Sequence, residues 1–223
     1  MKKLIIIFSL VLLLVPYADA RRKVKKAGDI KDNVYTDAEY GFKLTLNDEW
    51  KSTIKKEDDN FRLVLVKKNY DIPMDYKDAT DYTQVPRIIL YADTSTVPIL
   101  AFIDSLVSDT YKSDQKKEIL KEFEILSEQE LIPKGHKPMS IGKSKSKGFQ
   151  WLAQAKYTKE VATSVSSLGG QRVYGSYGGA IIAVKDGNNI LLFHMMCEYQ
   201  FFESIFNEML QIINTLEWVG QEG

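Results

Sequence analysis

Hydrophobic and polar residues alternate, cluster and change period along this chain, and those changes mark out its elements. Gly41-Phe42-Lys43-Leu44-Thr45-Leu46 alternates apolar with polar residues, the pattern of a half-buried strand. Asn47-Asp48-Glu49-Trp50 follows as a predicted turn that delivers a tryptophan to the edge of the core. Phe61 to Val66 and Arg87 to Ala92 are too short for helices and rich in branched residues, so each predicts a strand. The period then lengthens. Ile99, Phe102, Ile103, Leu106 and Val107 are spaced by three and four, with Asp104, Ser105, Ser108 and Asp109 opposite, which predicts an amphipathic helix over 97–112. Ser113 or Asp114 would cap further helical turns to Lys121. Residues 123–132 are expected to be extended until Pro133-Lys134-Gly135 ends the run. Residues 142–148 form a lysine- and serine-rich loop, and Phe149 to Tyr157 alternate as a strand with one wet face.

The stretch from Ala180 to Trp218 carries the most information. Two apolar runs, Ala180–Val184 and Ile190–Cys197, flank Lys185-Asp186-Gly187-Asn188-Asn189, and Asp-Gly between such runs predicts a hairpin. Both runs are apolar on both faces and therefore need cover above and below. Phe202, Ile205, Phe206, Met209, Ile213 and Leu216 supply one face of a following helix, with Glu203, Asn207, Glu208, Gln211 and Asn214 on the other. The economical arrangement is an α+β domain: a central, largely antiparallel sheet of six or seven strands with helices on both faces, an α/β/α sandwich spanning residues 34–219.

Ahead of this domain the pattern differs. Lys2 and Lys3 precede an apolar run from Leu4 to Val15, broken only by Ser9, and Ala18-Asp19-Ala20 then places small residues where a leader peptidase reads them. Residues 1–20 read as a signal peptide, shorter in its apolar part than the ~20 residues that span a bilayer. No cysteine lies near the cleavage point, which excludes a lipid-anchored form. The expected destination is outside the cytoplasm: the periplasm, the outer cell surface or the medium. Residues 21–33 read as a flexible basic leader. Positive charge at the start of a mature chain resists translocation, so a membrane-tethered form with an uncleaved leader is the alternative. Arg21, Arg22, Lys23, Lys25 and Lys26 are the residues that would make a weak contact with anionic lipid, ~1 kcal/mol per charge at the surface.

Composition narrows the chemistry. The 223 residues carry 30 basic and 30 acidic side chains, so no global field steers the chain to nucleic acid. One cysteine, Cys197, excludes an internal disulfide and any cysteine-based metal knuckle. There is no phosphate-binding glycine loop and no Gly-x-Ser-x-Gly elbow, because Gly175-Ser176-Tyr177-Gly178-Gly179 has its serine misplaced. Tyr174 and Tyr177 beside those glycines read as a bent strand or loop. Of the two histidines, His136 is expected in a solvated turn. His194 is expected in the core, three residues from Cys197 and hence on the opposite face of its strand. Lys143, Lys145 and Lys147 alternate with serine but lack the aromatic platform that single-stranded nucleic acid needs.

The strongest candidate for a site is the stretch 69–86. Asp71, Asp75, Asp78 and Asp81 alternate there with Tyr70, Tyr76 and Tyr82, and Lys77 is its one basic residue. Carboxylates suit a hard cation, although the spacing matches no EF-hand and lacks its glycine. Tyrosines beside acids also suit a protein-recognition surface. Asp71, Asp75, Tyr76, Asp78, Asp81 and Tyr82 are therefore the expected partner or cation surface, against the plainer reading of a solvated connection.

The residues Tyr35, Asp37, Gly41, Phe42, Leu44, Leu46 and Trp50 form a Tyr-x-Asp-x-x-x-Gly-Phe-x-Leu-x-Leu opening that ends at a tryptophan. A strand hairpin then runs into a closing helix before Leu216-Glu217-Trp218. Together these resemble the PsbP-like sandwich superfamily, which includes the extrinsic photosystem protein, a Ran-binding nuclear import factor and bacterial envelope proteins of the DcrB type. The resemblance runs from about Tyr35 to Trp218 and departs from the compact pattern at 69–86 and between Lys159 and Gly179. It implies a non-catalytic accessory or binding role and carries no site residue across. The expectation is an exported, monomeric, non-enzymatic binding or accessory domain of the bacterial envelope. It would have no cofactor, and its partner would be a protein or small molecule. The alternative is a hydrolase or metal-dependent enzyme built from dispersed carboxylates.

Overall fold

The computed structural model describes residues 25–70, 86–107, 131–142, 147–155, 159–162, 172–175, 177–198 and 201–219. The expected signal peptide, the expected helical turns to Lys121, Lys143, Lys145 and most of the acidic stretch lie outside them. Strands β1 (Asp29–Lys31), β2 (Val34–Asp37), β3 (Phe42–Thr45), β4 (Trp50–Ile54), β5 (Phe61–Lys67) and β6 (Arg87–Thr94) precede helix α1 (Ile99–Val107). Then come β7 (Leu131–Ser140), β8 (Lys147–Ala155), β9 (Lys159–Ala162), β10 (Arg172–Gly175), β11 (Tyr177–Asp186) and β12 (Asn189–Glu198). Helix α2 (Phe202–Ile213) and β13 (Glu217–Trp218) close the fold.

Among the described residues every strand pairing is antiparallel. A seven-stranded sheet has the order β4-β5-β6-β12-β11-β8-β7, a four-stranded sheet the order β1-β2-β3-β13, and β9 with β10 makes a separate hairpin. The β11–β12 hairpin sits at the centre of the large sheet. Asp186 pairs with Asn189, so its two-residue loop is Gly187-Asn188, one residue beyond the expected Asp-Gly centre. Gly187 adopts φ +56° at the first loop position, where a backbone matched to strand twist needs glycine.

The two apolar ribbons divide their side chains between two buried clusters, as alternation on a pleated strand requires. Ala180, Ile182, Val184, Leu191, Phe193 and Met195 pack with Ile205, Met209, Ile212 and Ile213 of α2. Ile181, Ala183, Ile190 and Leu192 pack with Phe102 and Ile103 of α1 on the opposite face. Tyr35, Phe42 and Leu44 of the four-stranded sheet belong to the same cluster as α2. The layer on that face is therefore a helix and a small sheet together, which corrects the expectation of a plain helical layer. Trp50 is buried at the expected place. The Asn47 side chain accepts the Glu49 N–H at 2.9 Å, and the Trp50 indole N–H donates to Glu208 of α2 at 3.0 Å.

Four further expectations change. Residues 25–33 are not a free leader: Ala27 is 2% exposed and Lys26 bridges to Lys56. Asp32 and Asn33, at φ 50° and 61°, form the two-residue turn of the β1–β2 hairpin. Pro133 and Gly135 do not end a strand, because β7 continues to Ser140 with an irregularity in its pairing between Pro133 and His136. His136 consequently lies in that strand opposite Trp151, not in a turn. The stretch between Lys159 and Gly179 contains β9, β10 and the start of β11, and Tyr174 and Tyr177 fall in strands. Lastly, α2 buries Ile205, Met209, Ile212 and Ile213, while Phe206 is half-buried and stacks on Phe202 at 5.6 Å.

This assignment fixes an order of mutational effects. Met209→Ala, at a fully buried position, is expected to cost ~2–5 kcal/mol, as large-to-small core changes do. Phe206→Ala should cost less than Met209→Ala in chemical denaturation, because its ring is already partly in water.

Candidate functional site

Arg62 stands second in β5, between Phe61 and Leu63, and its side chain is 2% exposed. A lone guanidinium there would be strongly destabilising, so its surroundings must supply acceptors for all five N–H groups. They do. Its Nε donates to Asp37 Oδ2 at 2.7 Å, and Nη1 donates to the carbonyls of Glu57 and Asp59, both at 2.9 Å. Its Nη2 lies 2.8 Å from Glu39 Oε2, 3.1 Å from the Ala27 carbonyl and 3.3 Å from Asp37 Oδ1. The guanidinium also stacks over the Tyr40 ring, 5.0 Å from its centroid.

Asp37, fully buried at the end of β2, works in both directions. Its Oδ1 accepts the N–H groups of Glu39 at 3.1 Å and Tyr40 at 3.2 Å, shaping the turn into β3. The Tyr35 hydroxyl lies 3.0 Å from Asp37 Oδ2 and 2.9 Å from the Ala27 carbonyl, within reach of either acceptor. Burial first, and then the charge of Asp37, push the Tyr35 hydroxyl pKa well above its ordinary value. For Arg62 burial acts against the charge, but hydrogen bonding and attraction to Asp37 outweigh it and hold the guanidinium pKa up. The opening motif is thus the acidic and aromatic half of an ion-pair cluster whose basic half comes from β5.

Three backbone segments converge on Arg62, and above it lies an open depression of about 1120 Å³. Lys25, Lys26 and Gly28 form one part of its lining, with Ala38 and Glu39 from the β2–β3 turn and Glu57 and Asp58 from the β4–β5 turn forming the rest. Asp37 and Arg62 also line it. Lys25 pairs with Glu57 at 3.5 Å in an exposed contact that adds little stability. Exposed charges of both signs around the rim suit a polar, charged partner more than an apolar one.

The expected site residues are not part of this arrangement. Asp71, Asp75, Tyr76, Asp78, Asp81 and Tyr82 lie outside the described residues, as do Arg21, Arg22 and Lys23. The flanks of the acidic stretch are described. Tyr70 packs edge-on to Phe201 at 5.7 Å, and the Pro86 carbonyl accepts the Lys67 N–H at 2.9 Å. Among the described residues no three His, Cys, Asp or Glu side chains are grouped to hold a metal, and no helix is long and apolar enough to cross a membrane.

His194 and Cys197 lie on opposite sides of β12. Cys197 belongs to the cluster under α2, while His194 shares the alternation of Ile190 and Leu192 towards α1. Burial, with a smaller contribution from the Arg87 charge, pushes the His194 pKa down to about 3, and burial pushes the Cys197 thiol up to about 12.

No family model matches the chain, and no curated protein matches it. Solved structures do resemble it. The solution structure of cyanobacterial PsbP (CyanoP) from Synechocystis sp. PCC 6803 aligns with TM-score 0.45 and 7% identity, covering 88% of this chain and 95% of that one. The crystal structure of LpqN, involved in cell envelope biogenesis of Mycobacterium tuberculosis, aligns with TM-score 0.43 and 10% identity over 80% of this chain and 83% of that one.

Two predictions follow from these environments. Arg62→Ala leaves Asp37 buried without its cation and should cost ~3–5 kcal/mol in urea denaturation. Arg62→Lys should recover only part of it, since one ammonium cannot reach the Ala27, Glu57 and Asp59 carbonyls together. His194 titrates near 6.5 when unfolded but near 3 when folded, so the unfolded chain binds the proton first. Its contribution is complete above pH 6.5 and is lost as pH falls towards 3, at up to ~1.4 kcal/mol per pH unit. His194→Gln should flatten that part of a stability–pH profile.

Proposed function

We propose that this chain is an exported, non-enzymatic binding or accessory protein of the cell envelope. Its charged partner, a polypeptide segment, would meet it at the depression above Arg62. The observation that carries the reading is the separation of reactive from accessible groups. The best candidates for a nucleophile and a base, Cys197 and His194, are sealed on opposite faces of the central sheet and displaced in pKa away from reactivity. Lys25, Lys26, Glu39, Glu57 and Asp58, all exposed, line an open surface fixed from beneath by a fully paired arginine. A binding surface with a rigid floor orders little on association, which favours recognition. Export is supported by the sequence pattern of the first twenty residues.

Site-specific photocrosslinking in the producing cell tests this. A crosslinker at Asp58 should trap an adduct of one discrete mass, and one at Thr53, exposed on β4 but outside the depression, should not. Identical adducts at both positions, or none at Asp58, would overturn the assignment of the surface.

A further inference from the structure

The acceptors around Arg62 differ in how freely each can leave. The Glu57 and Asp59 carbonyls belong to the β4–β5 turn. The Ala27 carbonyl belongs to a strap, residues 25–28, that docks on the same turn: the Ala27 N–H donates to the Lys55 carbonyl at 3.0 Å and the Glu57 N–H to the Lys25 carbonyl at 2.9 Å. Asp37 is fully buried and also accepts two main-chain N–H groups. Glu39 is the exception. Its side chain is 54% exposed, and the turn that carries it is shaped by Asp37 and by Gly41 at φ +67°. The Glu39 arm can therefore swing into water while the turn stays in place. Arg62 Nη2 has two N–H groups but three acceptors in reach: Glu39 at 2.8 Å, the Ala27 carbonyl at 3.1 Å and Asp37 Oδ1 at 3.3 Å. Departure of Glu39 leaves no donor of Arg62 unpaired, and a pair so open to water holds its exposed member weakly.

We propose that Glu39 is a self-ligand, occupying an anion position on Arg62 that a carboxylate of the partner polypeptide takes in the complex. This rests on the reading of the depression given above and names the chemistry by which the partner is held. The position is already formed for a carboxylate, since one sits there at a charge-assisted distance from Nη2. Exchange of one carboxylate for another leaves the charge at the guanidinium unchanged, whereas an incoming cation would face it directly. Around the position, Lys25 and Lys26 on the strap and Glu57 and Asp58 on the β4–β5 turn line the same depression, all of them exposed. Rim charges of both signs suit a segment in which basic residues accompany the acidic one. The exchange reorganises a single surface side chain over a floor that stays paired, so little binding free energy is lost to ordering.

Calorimetric titration of the full chain with two capped hexapeptides tests this, one alternating glutamate with lysine and the other glutamine with lysine. The glutamate peptide carries no net charge, so a gain in its affinity is not an effect of the general field. Glu39→Ala should bind it severalfold more tightly than the unaltered chain does, with no gain for the glutamine peptide. Glu39→Gln, which keeps the arm without its charge, should shift affinity in the same direction. Asp58→Ala removes an equal charge from the rim but no contact to Arg62, and should not tighten binding. Equal affinities for the unaltered chain and Glu39→Ala, no measurable binding to Glu39→Ala, or an equal gain with Asp58→Ala overturns the exchange. Glutarate displacing the glutamate peptide at equal carboxylate concentration would overturn the polypeptide as its source. If the exchange fails while the crosslinker at Asp58 still traps its adduct in the cell, the surface reading stands; loss of that adduct overturns both.

Discussion

A guanidinium taken out of water must find a partner for every N–H, and Arg62 finds them in three separate stretches of chain. Asp37 neutralises it, and carbonyls from the strap and from the β4–β5 turn accept what the carboxylate leaves over. The neighbouring hydroxyl of Tyr35 and the ring of Tyr40 close the cluster. Such a pair stabilises little in net terms, because desolvation offsets most of the attraction. Its effect is on geometry. The Glu57 and Asp59 carbonyls cannot both stay paired unless the β4–β5 turn keeps its place, and Asp37 and Ala27 fix the turn into β3 and the strap in the same way.

Much of the fold was legible because it depends on period. The β11–β12 runs are apolar at every position but His194, and only a ribbon covered on both faces tolerates that; α1 and α2 supply the cover. The α2 face was legible as well, apart from the degree of burial of Phe206, which sits at the margin of the stripe beside Phe202. What escaped were elements too short to show a period. Strand β1 is three residues long, and its turn of Asp32 and Asn33 looks like any charged stretch until both residues adopt positive φ. Pairing with β8 overrode the breaking tendency of Pro133 and Gly135, and the irregularity there absorbs the misfit.

The site was less legible than the fold. Acidic density drew the reading to 71–82, whereas Arg62 is a single charge inside an apolar strand, flanked by Phe61 and Leu63. A signal was present. Tyr35 and Asp37 are two apart on β2 and so share one face, and Asp37 with an arginine elsewhere in a strand invites the search for a buried pair. The sequence pattern named both residues as a family-like opening without saying what holds them. The opposing charge lies 25 positions away from Asp37, a separation that periodicity cannot bridge.

The two borders of the large sheet differ from its centre in one respect. Along β7 the backbone lacks an N–H at Pro133 and again at Pro138, and the pairing slips between them. At the other border, the strap already occupies the end of β4 next to Lys55 and Lys56. Both features shorten the row of donors and acceptors on which another molecule could lay a strand, the kind of interruption that discourages edge-to-edge pairing of sheets.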